Sequence, residues 1–146
     1  MLKHKKPRKK EIESKILDIL NLVESISEIF PKDFESFKYD LVIRDASYKR
    51  VESAIQNLID ICYMINSDFR FGIPDEEEDV MDNMETNKVL SKKAILILKE
   101  MKSFRNILVH KYGKIDDLRA FESIEEGLND FELVIEEIER FLKIQK

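Results

Sequence analysis

The stretch covering residues 116–142, DDLRAFESIEEGLNDFELVIEEIERFL, decides the fold class. Leu118, Phe121, Ile124, Leu128, Phe131, Ile135, Ile138 and Leu142 recur at steps of three and four, the period that gathers side chains along one side of a helix. Such a sustained apolar stripe must be buried against partner helices. Reading outward, a second helix runs from about Ser91 through Ile95, Leu98, Met101, Phe104, Leu108 and Val109 and closes at Gly113, a residue suited to a left-handed C-terminal cap. Pro74, placed in a first turn and followed by the acids of residues 75–79, predicts a short helix through Val80, Met81 and Met84.

Before that, Asp33 caps a long helix carrying Phe34, Phe37, Leu41, Tyr48, Val51, Ile55, Leu58, Cys62, Ile65 and Phe69, with a bend expected near Asp45. Pro31 stops the first helix, whose stripe is Ile12, Ile16, Ile19, Leu20, Val23, Ile26 and Phe30. The expectation is all-α: an up-down helical bundle of four to five helices. Residues 1–10 are read as a basic N-terminal arm and residues 11–146 as a single helical domain.

Composition agrees with that reading. The chain has 146 residues, only three Gly and three Pro, and is 38% charged, too few turn residues to punctuate a sandwich or barrel. A chain of this size forms one domain of ordinary dimensions. The lone Cys62 closes no internal disulfide, and no Cys/His cluster has zinc spacing; a reducing cytoplasm is expected. No apolar run reaches the roughly 18 residues of a membrane span, so no membrane partner is expected.

The net charge of −5 hides an asymmetry. Residues 1–10 hold six Lys/Arg and no acid, leaving 19 basic against 30 acidic residues in the remainder, a balance of −11. Within that remainder, residues 92–119 run against the trend, with eight basic side chains facing only Glu100, Asp116 and Asp117.

The one compact polar constellation lies there: Arg105-Asn106-Ile107-Leu108-Val109-His110-Lys111-Tyr112-Gly113. Apart from His4 in the arm, His110 is the only histidine, the residue type whose unperturbed pKa lies nearest neutrality, so proton transfer falls to it first. Asn106 and His110 sit one turn apart on a shared helix face, whereas Arg105 and His110 diverge by about 140°. Spacing alone favours a packing role: a His and a Tyr can serve as cap and half-buried anchor, and Arg105 can pair with a carboxylate. The acidic run Glu76-Glu77-Glu78-Asp79 reads as a solvated helix start.

At these residues the chain resembles the HepT-like branch of the HEPN superfamily, whose signature is Arg-x4-His-x-Tyr. Phe104 before the Arg, Lys114-Ile115-Asp116 after the Tyr, and Val51-Glu52-x-Ala54-x-Gln56 upstream extend the likeness, which spans the chain from about residue 11 onward. The resemblance implies an all-helical, homodimeric, metal-independent ribonuclease without a cofactor, the toxin of a two-component prokaryotic system. Its partners would be an RNA substrate and an MntA-like nucleotidyltransferase antitoxin. Carried over by position, Arg105 and His110 are catalytic, Asn106 is the supporting polar residue and Tyr112 is the AMP acceptor. The competing reading is a non-catalytic HEPN module that binds nucleotide or a partner.

Chemically, cleavage needs an RNA 2′-hydroxyl to lose its proton and attack phosphorus while another group protonates the departing 5′-oxygen. In this reading His110 transfers a proton and Arg105 clamps phosphate. One chain offers one such histidine, so two motifs facing across a two-fold axis would supply the acid and the base.

Overall fold

A computed structural model describes residues 8–110 and 114–144, and every regular element among them is helical. In chain order these are α1 (Lys9–Ile29), α2 (Phe34–Tyr39), α3 (Leu41–Asp68), α4 (Glu77–Thr86), α5 (Lys92–His110), α6 (Asp117–Gly127) and α7 (Asp130–Ile144). The all-α expectation holds, with two of the expected helices each divided in two.

The first division falls at Asp40. Its backbone is extended and its carboxylate accepts from Ile43 N at 3.1 Å, so a fresh N-cap ends α2 and starts α3. Asp33 does the same for α2, accepting from Ser36 N at 3.0 Å. The break therefore lies five residues before the Asp45 expected from the sequence, because a short polar side chain that can satisfy the next turn's N–H groups competes with helix continuation. The second division separates α6 from α7 at Leu128 and Asn129. Gly127 and Asn129 have poor helix propensity, and the stripe survives the interruption because Phe131, Val134, Ile135 and Ile138 all remain buried.

α1 lies along α3, with Ile12, Ile16, Ile19 and Ile26 turned inward at near-heptad spacing. They meet Val51, Ala54, Ile55, Leu58, Cys62 and Ile65 of α3 in one apolar core completed by α4, α5 and α7. Beside this core a second cluster is aromatic: Phe37, fully buried, lies 5.3 Å from the rings of both Phe30 and Phe121, and Tyr48 is 5.6 Å from Phe37. Tyr48 also donates its hydroxyl hydrogen to Asp117, joining α3 to α6. Leu41 and Leu118, both read as stripe residues, are instead exposed, at the first residue of α3 and the second of α6.

Arg8 donates to the buried Asp68 carboxylate from its backbone N at 2.8 Å and from Nε at 3.1 Å. The start of α1 is thereby tied to the end of α3, and Lys9 and Lys10, assigned to the arm from the sequence, are helical. After α3 the chain turns through Arg70 and Gly72, both at positive φ. Asn66 pins this turn, donating to Gly72 O at 2.8 Å and accepting from Asn83 Nδ2 of α4 at 2.8 Å.

α4 begins at Glu77, three residues beyond Pro74, which precedes the helix rather than opening it. Asp79 accepts from the backbone N of Asp75 and of Glu76 at 2.9 and 3.0 Å, fixing that first turn. Val80, Met81 and Met84 are essentially inaccessible and lock α4 against α3 and α5. Ser91 caps α5 by accepting from Ala94 N, and its own N and Oγ donate to Glu137 of α7. These contacts set the height and rotation of α5, the helix that carries the polar motif.

Candidate active site

The buried face of α5 comprises Ala94, Ile95, Leu98 and Arg105. Arg105 follows Leu98 by two turns, so an arginine stands where the helical register calls for an apolar side chain. A cation at such a depth requires partners for its hydrogen-bonding groups, and three helices provide them.

The guanidinium meets Glu77 through two parallel bonds, Nη2 to Oε1 at 2.7 Å and Nη1 to Oε2 at 3.0 Å. Nη1 also donates to Gln56 Oε1 of α3 at 2.8 Å. Nε and Nη2 both donate to Oδ1 of the adjacent Asn106, at 3.2 and 2.8 Å. These five contacts match the five N–H groups that an arginine carries. The Arg105 side chain is 10% exposed and that of Glu77 26%. Hydrogen bonding from Arg105 holds the Glu77 carboxyl below the ordinary carboxylate range, against an opposing effect of burial.

The pair has neighbours of the same kind. Lys102 lies 3.6 Å from Glu78, and Lys99 donates to Asp82 at 3.2 Å, so acidic side chains of α4 run beside basic side chains of α5. The acidic run read as a solvated helix start is partly an ion-pair partner of the motif helix. Gln56 is itself held by donating to Asp60 at 2.9 Å. Tyr63, on the same helix as Gln56 and Asp60, has its phenol pKa raised, first by burial and then by the charge of Glu77.

His110 is the last residue of α5 and is exposed. The structure brings Arg105 to Asn106 but leaves Arg105 and His110 in different surroundings, in keeping with their five-residue separation. Asn106, half-buried, connects the two, bonded to Arg105 and one turn from His110. Lys111, Tyr112 and Gly113 lie outside the described residues, so the expected AMP acceptor Tyr112 and the expected cap at Gly113 have no structural description.

Sequence reasoning missed Glu77 as a member of this constellation, and quoted Gln56 only as a flank of the family likeness. The signal available was register: Arg105 on the buried stripe of α5 demanded an inward-facing acid, and the first turn of α4 is rich in acids.

A groove of about 220 Å³ between α3, α5, α6 and α7 is lined by Val51, Ile55, Met101, Phe104 and Phe131, and none of Arg105, Asn106 and His110 borders it. Among the described residues no group of three or more His, Cys, Asp or Glu is placed to hold a metal ion, and no helix is long and apolar enough to cross a membrane.

Comparison with known proteins places this geometry in a family. The model of the family described as ribonuclease HepT-like matches residues 19–138. The mRNA nuclease HepT of Shewanella oneidensis is 27% identical over 125 residues, 86% of this chain and 93% of that protein. Among solved structures, the tri-AMPylated Shewanella oneidensis HEPN toxin in complex with its MNT antitoxin superimposes with a TM-score of 0.80 at 27% identity, over 88% of this chain and 96% of that one. A toxin-antitoxin crystal structure with AMP-PNP gives a TM-score of 0.80 at 27% identity, over 88% and 97%. Bacillus subtilis YutE, at 17% identity and a TM-score of 0.81 over 94% and 92%, shares the fold. With 120 consecutive residues matched and the Arg-x4-His-x-Tyr motif inside them, the chain belongs to the ribonuclease HepT-like family.

Proposed function

We propose that this chain is a metal-independent RNA endonuclease acting in the cytoplasm as the toxin of a prokaryotic toxin-antitoxin pair. The observation that carries the reading is the exposed His110 at the end of α5, one turn beyond an asparagine hydrogen-bonded to a buried arginine. An imidazole at an exposed helix end, reachable by a large substrate and accompanied by amide and guanidinium groups, suits phosphodiester chemistry better than it suits packing. The relative named an mRNA nuclease supports the substrate class.

In the proposed reaction a base removes the proton from an RNA 2′-hydroxyl, whose oxygen attacks the adjacent phosphorus. The bond to the 5′-oxygen breaks as an acid protonates it, leaving a cyclic phosphate and a free 5′-hydroxyl. One His110 can serve one of these roles at a time, so a homodimer with two motifs along one groove supplies both. Arg105, Asn106 and His110 form the site, and no step calls for a metal.

The partner is an MntA-like nucleotidyltransferase that places AMP on Tyr112; the solved complex of an AMPylated HEPN toxin with its antitoxin supports this assignment. Phosphate attached beside the motif would occupy the position of the substrate and repel more of it.

The test is cleavage of labelled RNA in the presence of a chelator. Wild type is expected to cleave, and His110→Ala to lose roughly 10²–10⁴-fold in rate, the usual contribution of a general acid or base. Undiminished cleavage by that variant would overturn the reading.

A further inference from the structure

Arg105 faces the substrate question with every N–H already engaged, by Glu77, Gln56 and Asn106. Clamping a phosphate directly would break charge-assisted bonds and leave the Glu77 carboxylate beside the incoming anion. Glu77 has little room to withdraw as a unit with its helix, because Val80, Met81 and Met84 of α4 are packed in the core and Asp79 fastens the first turn. The guanidinium is therefore held, and its outward consequence is at Asn106.

Two Arg105 N–H groups converge on Asn106 Oδ1. That choice fixes which way the amide points: Oδ1 turns toward Arg105, and Nδ2, which donates to no described residue, is left with both hydrogens available. A cation bonded to the carbonyl oxygen polarises the amide and strengthens its N–H groups as donors. Asn106 lies one turn before His110, with about 5–6 Å expected between their β carbons, a separation that one phosphate and its leaving oxygen can bridge.

We propose that Glu77 and Gln56 are positioning residues of the cleavage site: they hold Arg105, Arg105 fixes the Asn106 amide, and Asn106 Nδ2 is the group that meets the substrate phosphate beside His110. The proposal rests on the cleavage reading above and divides its labour differently from the sequence expectation, in which Arg105 itself grips the phosphate. Arg105 delivers its charge through the amide.

Two measurements on the full chain test it. In the first, side-chain NMR follows Asn106 Nδ2 and Arg105 Nε while a mixed-sequence 2′-O-methyl RNA, which cannot be cleaved, is added. The Asn106 amide resonances are expected to shift while the Arg105 Nε resonance holds its position. In the second, Glu77→Gln is expected to lower the single-turnover cleavage rate roughly 10- to 100-fold through misplacement of the amide, with the half-saturating RNA concentration within about twofold of wild type. A Glu77→Gln protein that binds and cleaves RNA better would show that the carboxylate merely blocks Arg105, and would overturn the proposal. So would a shifted Arg105 Nε with an unmoved Asn106 amide, or no binding of the RNA at all. Failure of the cleavage reading registers separately, as full activity of His110→Ala, and leaves the amide measurement standing.

Discussion

Arg105 and His110 belong to one motif on one helix yet stand in opposite environments: the arginine side chain is 10% exposed and doubly bonded to Glu77, whereas the histidine is exposed at the helix end. The 140° that separates them around α5 is a property of the helix itself. No rotation of α5 turns both toward one substrate, and a second copy of the motif is the economical way to complete the acid-base pair.

This makes the dose response of an inactive variant informative. Co-expressed wild type and His110→Ala in equal amounts should retain about a quarter of the wild-type rate per total protein, because a site sharing two histidines is intact only in dimers of two wild-type chains. Independent sites would retain about half. Light scattering should give twice the chain mass of 17.3 kDa, and a monomer at micromolar concentration would contradict the shared site.

Tyr112→Phe should abolish the gain of AMP when the protein is incubated with ATP and the partner nucleotidyltransferase, and intact-mass spectrometry reads this directly. A phenol oxygen can act as the nucleophile that such a transfer requires, and a phenyl ring cannot. A Phe variant modified as fully as wild type would assign the acceptor to another side chain.

Acid should expose the ion pair beneath the motif. Because Arg105 holds the Glu77 carboxyl below its ordinary value, the folded protein keeps this group ionised where the unfolded chain would begin to protonate it. The unfolded state then binds more protons, and the pair's contribution, complete at neutral pH, drains away as pH falls through the carboxylate range. Melting temperature measured from roughly pH 6 to pH 3 should drop more steeply for wild type than for Glu77→Gln, whose amide does not titrate there. Parallel curves would mean that the pair has no net linkage to folding.

Phe37→Ala tests the aromatic cluster. Its ring is fully buried against Phe30, Tyr48 and Phe121, and truncation should cost about 3–5 kcal/mol. For a chain of this length that corresponds to a fall in melting temperature of roughly 6–20 °C, readable by circular dichroism. A loss under about 1 kcal/mol would mean that the neighbouring rings collapse into the space.

Apolar periodicity alone determined that this chain is a helical bundle, and the short motif that begins on α5 named its family, because both signals are local: a 3.6-residue repeat and an eight-residue pattern need nothing beyond neighbouring sequence. The breaks at Asp40 and at Leu128–Asn129 were partly hidden, since an apolar stripe can continue in phase across a new cap while the backbone does not. The environment of the motif was decided by the tertiary structure. Gln56 and Glu77 lie 49 and 28 residues before Arg105 along the chain, and only the packing of α3 and α4 against α5 makes the acid and the amide the arginine's partners. A motif states which residues are present; whether a guanidinium is free for a phosphate or already fully bonded depends on what the fold places around it, and here that is Glu77, Gln56 and Asn106.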